Sequence, residues 1–137
     1  MSRGLNNLNP GNLKKVLSHY FVGEKRKSTD DTFRQFYEMS FGYRAMFRQL
    51  QLFKQYGWNT IRLIIVHWSG ETAEIVDPYI AFVSQETGIN PDEPLLLTNE
   101  IQLKDIVYAM SAYENGVPAV IDDVADGYNL LYDTKMQ

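Results

Sequence analysis

Residues 99–116 read NEIQLKDIVYAMSAYENG, and the spacing within this stretch decides the fold class. Leu103, Ile106, Val107 and Met110 recur at three- and four-residue intervals, the repeat of an α-helix with one apolar face. Asn99 offers a side-chain oxygen to the orphan N–H groups at the start, and Asn115-Gly116 offers the left-handed residue that ends such a helix. Glu114 falls four residues after Met110 and seven after Val107, so a carboxylate stands on the apolar stripe where a hydrophobe is expected. Partial burial and the negative end of the helix dipole both disfavour its charged form, and a carboxyl that keeps its proton near neutral pH can act as a general acid. The bland alternative is a Glu that frays into water or pairs with an arginine.

The same punctuation recurs on either side. Ser40 predicts the cap of a helix whose stripe is Tyr43, Met46, Phe47, Leu50 and Phe53, ending at Gly57. Asn59 or Thr60 starts the next, with Ile61, Ile64, Ile65 and Trp68 on one face. Asp77 as cap and Pro78 at the first helical position predict a third, running through Tyr79 and Val83 to Gly88. A last helix follows Pro118, with Ile121, Val124, Ala125, Tyr128 and Leu131 on one face.

Before these helices the pattern changes. Residues 5–12 are rich in amides, and Pro10-Gly11 predicts a type II turn. His19 to Phe36 fits a short β-hairpin or two extended segments. Its tip carries Lys25, Arg26 and Lys27, then Asp30 and Asp31, which reads as a solvated loop or as the wall of a polymer-binding cleft. The expected fold is therefore mainly α (α+β), a single domain over 1–137 with one small hairpin. A chain of this size buries roughly two-thirds of its unfolded surface, enough for one core.

Composition excludes several classes. Hydrophobic residues make up 45%, with nine Tyr, seven Phe and two Trp, which is globular and aromatic enough to line a cleft as well as a core. The formal net charge of -4 gives no overall attraction for nucleic acid. Without Cys, and with only His19 and His67 at no metal-binding spacing, no metal or other cofactor is expected. The N-terminus lacks the apolar run of a secretion signal, and no stretch nears the roughly 20 apolar residues of a membrane span. Synthesis in the cytoplasm without membrane insertion is expected, with access to a cell wall only through a virion or a permeabilising partner.

Several motifs then converge in order. Arg3-Gly4-Leu5-Asn6-Asn7-Leu8-Asn9-Pro10-Gly11-Asn12 is similar to the RGIRNNNPGNIR opening of a family of phage and prophage proteins. Phe21-Val22-Gly23-Glu24 resembles its WxG element, Asp31-Thr32-Phe33-Arg34-Gln35-Phe36 its DxxFxxF, and Gly42-Tyr43-Arg44-Ala45 its GxRA. Asn59-Thr60-Ile61 with Ile64, Ile65 and Trp68 resembles its NT(V/I)xxII..W segment, and Tyr113-Glu114-Asn115-Gly116 its HENG or VECG. The resemblance covers nearly the whole chain. It implies kinship with virion-associated lytic proteins such as the cell-wall enzyme of enveloped double-stranded-RNA phages, whose fold is lysozyme-like. In lysozyme-like enzymes the hairpin follows the catalytic helix, whereas here it is expected to precede it, and a circular permutation would reconcile the two orders. One departure stands out: the family commonly reads WAPPSENDTxxY, where this chain has Trp68-Ser69-Gly70-Glu71-Thr72-Ala73-Glu74-Ile75-Val76-Asp77-Pro78-Tyr79.

The expected activity is peptidoglycan cleavage, as a lytic transglycosylase or a muramidase, with Glu114 as general acid and then base. A hydrolase would more often add a second carboxylate, for which Glu24 and Asp31 are the candidates. Asn9 and Asn12 are expected to bind N-acetyl groups of the glycan strand, and Tyr79 to orient the acid or stack on a sugar. Trp68, Tyr20 and Phe21 fit either core packing or a sugar platform. The expected partners are peptidoglycan strands and other virion proteins. The alternative function is a non-catalytic phage structural or glycan-binding protein on the same fold.

Overall fold

The computed structural model describes residues 1–133 and 135. Among the described residues six helices follow one another: α1 (Arg3–Asn6), α2 (Met39–Gln55), α3 (Ile61–Ser69), α4 (Ala73–Thr87), α5 (Glu100–Asn115) and α6 (Ile121–Leu130). Helix α2 packs along α6, and α4 packs between α3 and α5. Their apolar stripes meet in one core, in which Met46, Phe47, Leu50, Ile61, Ile64, Ile65, Val83, Ile106, Val107 and Met110 have no exposed surface. Among the described residues no helix is long and apolar enough to cross a membrane.

The caps of α3 and α5 act as the residue types require, whereas α2 begins at Met39 after Glu38, so the expected cap Ser40 lies inside it. The Thr60 hydroxyl accepts from the Leu63 N–H, the Asn99 side chain accepts from the Gln102 N–H, and Gly70, Gly88 and Gly116 end α3, α4 and α5 in the left-handed conformation. Helix α4 departs from expectation. It begins at Ala73 after Thr72, so Pro78 lies inside it and not at its first position. Starting earlier brings Val76 onto the buried stripe of Tyr79, Ile80 and Val83. The carbonyl that Pro78 leaves without an N–H is that of Glu74, an exposed residue that water can serve. In α6 the buried positions are Val124, Gly127 and Tyr128, while Ile121 is turned outward.

The expected β-hairpin is not formed. No strand occurs among the described residues, only isolated antiparallel bridges between Lys14 and Phe33, Val16 and His19, and Glu24 and Phe36. Residues 32–37 are shared between two partners: the Arg34 N–H donates to the Leu13 carbonyl, and the Tyr37 N–H donates to the Gly23 carbonyl. Other backbone groups of this layer go to side chains. The buried Asn9 amide bonds the Leu13 N–H and the carbonyls of Leu13 and Arg34. The Arg34 guanidinium donates to the carbonyls of Lys14 and His19, and Asp30 accepts from the N–H groups of Thr32 and Phe33. Side chains that satisfy the backbone locally compete with a ladder, and here they prevail.

This N-terminal layer is fastened by Trp68, whose Nε1 donates to the Gly11 carbonyl at 2.7 Å. The Pro10-Gly11 turn is closed by the Asn12 N–H on the Asn9 carbonyl, but it is not type II, since the positive φ (49°) belongs to Asn12 and not to Gly11. Gly11 is needed for space: a Cβ there would lie 2.8 Å from Trp68 Cζ2 and 2.9 Å from Met46 Cγ. Gly11→Ala is therefore expected to destabilise by about 1–3 kcal/mol through overpacking. Urea unfolding measures this, and a loss below a few tenths of that size would show that the Trp68 seat yields easily.

Candidate functional site

The site forms where the N-terminal layer meets the C-terminal end of α5. Asn115, the last residue of α5, donates from its amide to the Pro10 and Ser111 carbonyls at 2.8 and 2.9 Å, and accepts from the Ser2 hydroxyl at 2.6 Å. One side chain thus ties the chain start and the Pro10 turn to the helix end. Its neighbour Glu114 is half-buried beneath that turn, and its Oε1 accepts from the Asn12 amide at 2.9 Å.

Tyr79 reaches the same place from α4. Its ring is buried, its hydroxyl donates to the Met110 carbonyl at 3.4 Å, and it stacks on Tyr113 with ring centres 4.1 Å apart. Burial raises the Glu114 carboxyl above its ordinary pKa, against the opposing pull of the Asn12 amide, the nearby Tyr79 hydroxyl and the Lys14 charge. The Tyr79 hydroxyl is pushed well above its ordinary value, first by burial and then by the neighbouring Glu114 charge. Lys14, whose ammonium donates to the Ser69 carbonyl at 3.3 Å, is a member of this group that sequence reading did not single out.

The sign of the Glu114 shift has a stability consequence. A carboxyl whose folded pKa is raised favours folding least when ionised, so stability falls as pH rises from the unfolded value through the folded one. Glu114→Gln removes that penalty. The variant is expected to equal the wild type near pH 4 and to be more stable at about pH 7, a gap read from denaturant midpoints at both pH values. A gap that instead widened toward acid would contradict the raised pKa.

Of the residues singled out from sequence, Glu114, Asn12 and Tyr79 come together, and the others do not join them. Asn9 has no exposed surface, and its amide is spent on three backbone bonds, so it holds the turn and has no polar atom left for a sugar. Glu24 is buried in an ion pair with Arg34 and also accepts from the Phe21 N–H at 2.9 Å. Asp31 is exposed, and it is Asp30 that anchors the loop, accepting from both ends of the Arg3 guanidinium at 2.7 Å and from Asn7 at 2.9 Å. Neither candidate second carboxylate is bonded to the Glu114 cluster. Among the described residues no group of three or more His, Asp or Glu side chains is placed to hold a metal ion.

Fold and site together define a small helical protein with one half-buried carboxyl held at a helix end by an asparagine. No protein-family model matches the sequence. The chain is 33% identical over 131 residues to Protein P5 of Pseudoalteromonas phage PM2, an alignment that covers 93% of this chain and 80% of P5. The chain belongs to the family of that phage protein.

Proposed function

We propose that the chain is a peptidoglycan-cleaving glycosidase on a lysozyme-like helical fold, with Glu114 as its general acid. The observation that carries this reading is the half-buried Glu114 carboxyl, held by Asn12 at the end of α5 and made less acidic by burial. The hydrogen-bond inventory supports a proton there. Asn12 Oδ1 is buried without a partner while its amide nitrogen faces Glu114. That oxygen, Asn115 Oδ1 and the Asn9 carbonyl all lie within 2.6–2.9 Å of the point where a Gly4 Cβ would stand. Amide oxygen and nitrogen exchange places by a flip. Turned over, Asn12 would accept from a protonated Glu114.

With no second carboxylate bonded to this cluster, the supported route is transglycosylation. Glu114 gives its proton to the glycosidic oxygen as the C–O bond to the muramyl residue breaks. The carboxylate then takes the proton of the muramyl 6-hydroxyl as that oxygen bonds to the anomeric carbon, closing a 1,6-anhydro ring. Resemblance of the ordered motifs to phage lytic proteins, and kinship with a phage protein, fit this reading. The test is release of soluble fragments from purified peptidoglycan, which is expected from the wild type; a preparation that binds the sacculus and releases nothing would refute it.

That last outcome defines the second reading, a non-catalytic phage structural or glycan-binding protein. It is favoured by the altered segment between Trp68 and Tyr79, which here forms the opening turns of α4 and carries Tyr79 to the acid.

A further inference from the structure

Charge is unevenly spread along this chain. Residues 1–62 hold eleven Lys and Arg against four Asp and Glu, and residues 63–137 hold two against thirteen. Within the acidic half, an open groove of about 980 Å³ runs between α4, α5 and the segment leading into α6. Phe82, Tyr108 and Tyr113 line it together with the small residues Ala109 and Ala112. Glu86 and Asp105 also line it, and no described residue forms an ion pair with either. Ile121, at one end, is 70% exposed.

The basic half carries the complementary shape. The turn Val16–His19 is closed by the His19 N–H on the Val16 carbonyl at 3.2 Å. It is braced by the Arg34 bond to the His19 carbonyl and by edge-on contact of the His19 ring with Phe21. At its corner Leu17 is 90% exposed. The same layer bears Lys14, Lys15 and the run Lys25-Arg26-Lys27, none of which lines the groove. A leucine on an already ordered turn loses little freedom on docking, and an apolar tip among cations matches an apolar groove rimmed by carboxylates.

We infer that the Val16–His19 turn of one copy seats in the α4–α5 groove of a second copy, head to tail. The two surfaces are different patches, so after one contact the first copy still has its groove free and the second its turn, and the association closes into a ring or continues as a chain. Charge complementarity makes the association sensitive to salt.

Sedimentation velocity of the full chain tests this. The wild type should gain mass with concentration in dilute buffer and return to monomer in about 0.5 M salt. Leu17→Asp, which keeps the groove, and the double variant Glu86→Lys/Asp105→Lys, which keeps the turn, should each be monomeric. All three positions are on the surface, and circular dichroism confirms that the variants fold. Mixed together, the two variants should form a 1:1 heterodimer and nothing larger. A wild type that stays monomeric at every concentration in dilute buffer, or folded variants that do not pair when mixed, would overturn the inference.

Discussion

Glu114→Gln is expected to lower the rate of fragment release from purified peptidoglycan by about 10²–10⁴-fold, the usual contribution of a positioned general acid. The substitution is nearly isosteric and keeps an acceptor for the Asn12 amide, which in the wild type donates to Oε1 at 2.9 Å. What it removes is the exchangeable proton. Because the raised carboxyl pKa also makes ionised Glu114 a burden on the fold, loss of activity should come with stability equal to or above that of wild type near neutral pH. An inactive and destabilised variant would point to disruption and not to chemistry, so initial rates and unfolding midpoints are measured on the same preparation. Activity within a few-fold of wild type would remove Glu114 from the reaction.

The largest stability effect is expected at Arg34. Its side chain and that of Glu24 are almost wholly buried, and they pair with each other. The guanidinium also donates to the Lys14 and His19 carbonyls at 2.9 and 3.0 Å and lies over the Phe21 ring at 4.6 Å. Removing one partner of a buried pair leaves the other charge uncompensated, which costs about 3–5 kcal/mol. Arg34→Met should lose that much in chemical unfolding. Adding Glu24→Gln should recover part of the loss, since the stranded carboxylate is then gone, but not the part due to the two carbonyls. Strictly additive losses would mean that the pair is not coupled. The same substitution bears on the site, because Arg34 fixes the Lys14 backbone and the Lys14 charge acts on Glu114.

The helices were legible because their signals are local. Apolar stripes at three- and four-residue spacing, with Thr60 and Asn99 before them and Gly70, Gly88 and Gly116 after them, need no knowledge of the rest of the chain. The start of α4 differs from expectation where two rules compete: Asp77-Pro78 is a fine helix opening, yet burying Val76 draws the helix one turn back. Between residues 7 and 38 alternation is the main local pattern, and from His19 to Phe36 it predicts a short β-hairpin or two extended segments. What organises them is the reach of Asn9, Glu24, Asp30 and Arg34 to backbone groups, and such bonds leave no periodicity.

The candidate site shows the same division. Glu114 could be placed from helix phase alone, and Asn12 and Tyr79 meet it in space. Asn9 and Glu24 share the chemistry of a sugar contact or a second carboxylate, but burial turned both to holding the N-terminal layer. Asp31 lies one residue away from the carboxylate that the loop does use, Asp30. Lys14 had no sequence signal and Asn115 only that of a helix stop and its motif, because in the site each acts through a partner more than fifty residues away.

Mass spectrometry of the products released from purified peptidoglycan by the wild type tests the central claim most directly. Glu114 working as acid and then base predicts muropeptides ending in 1,6-anhydro-muramyl residues, present with wild type and absent with Glu114→Gln. Fragments cut only at peptide bonds, the same anhydro products from both proteins, or no soluble product from either would contradict it.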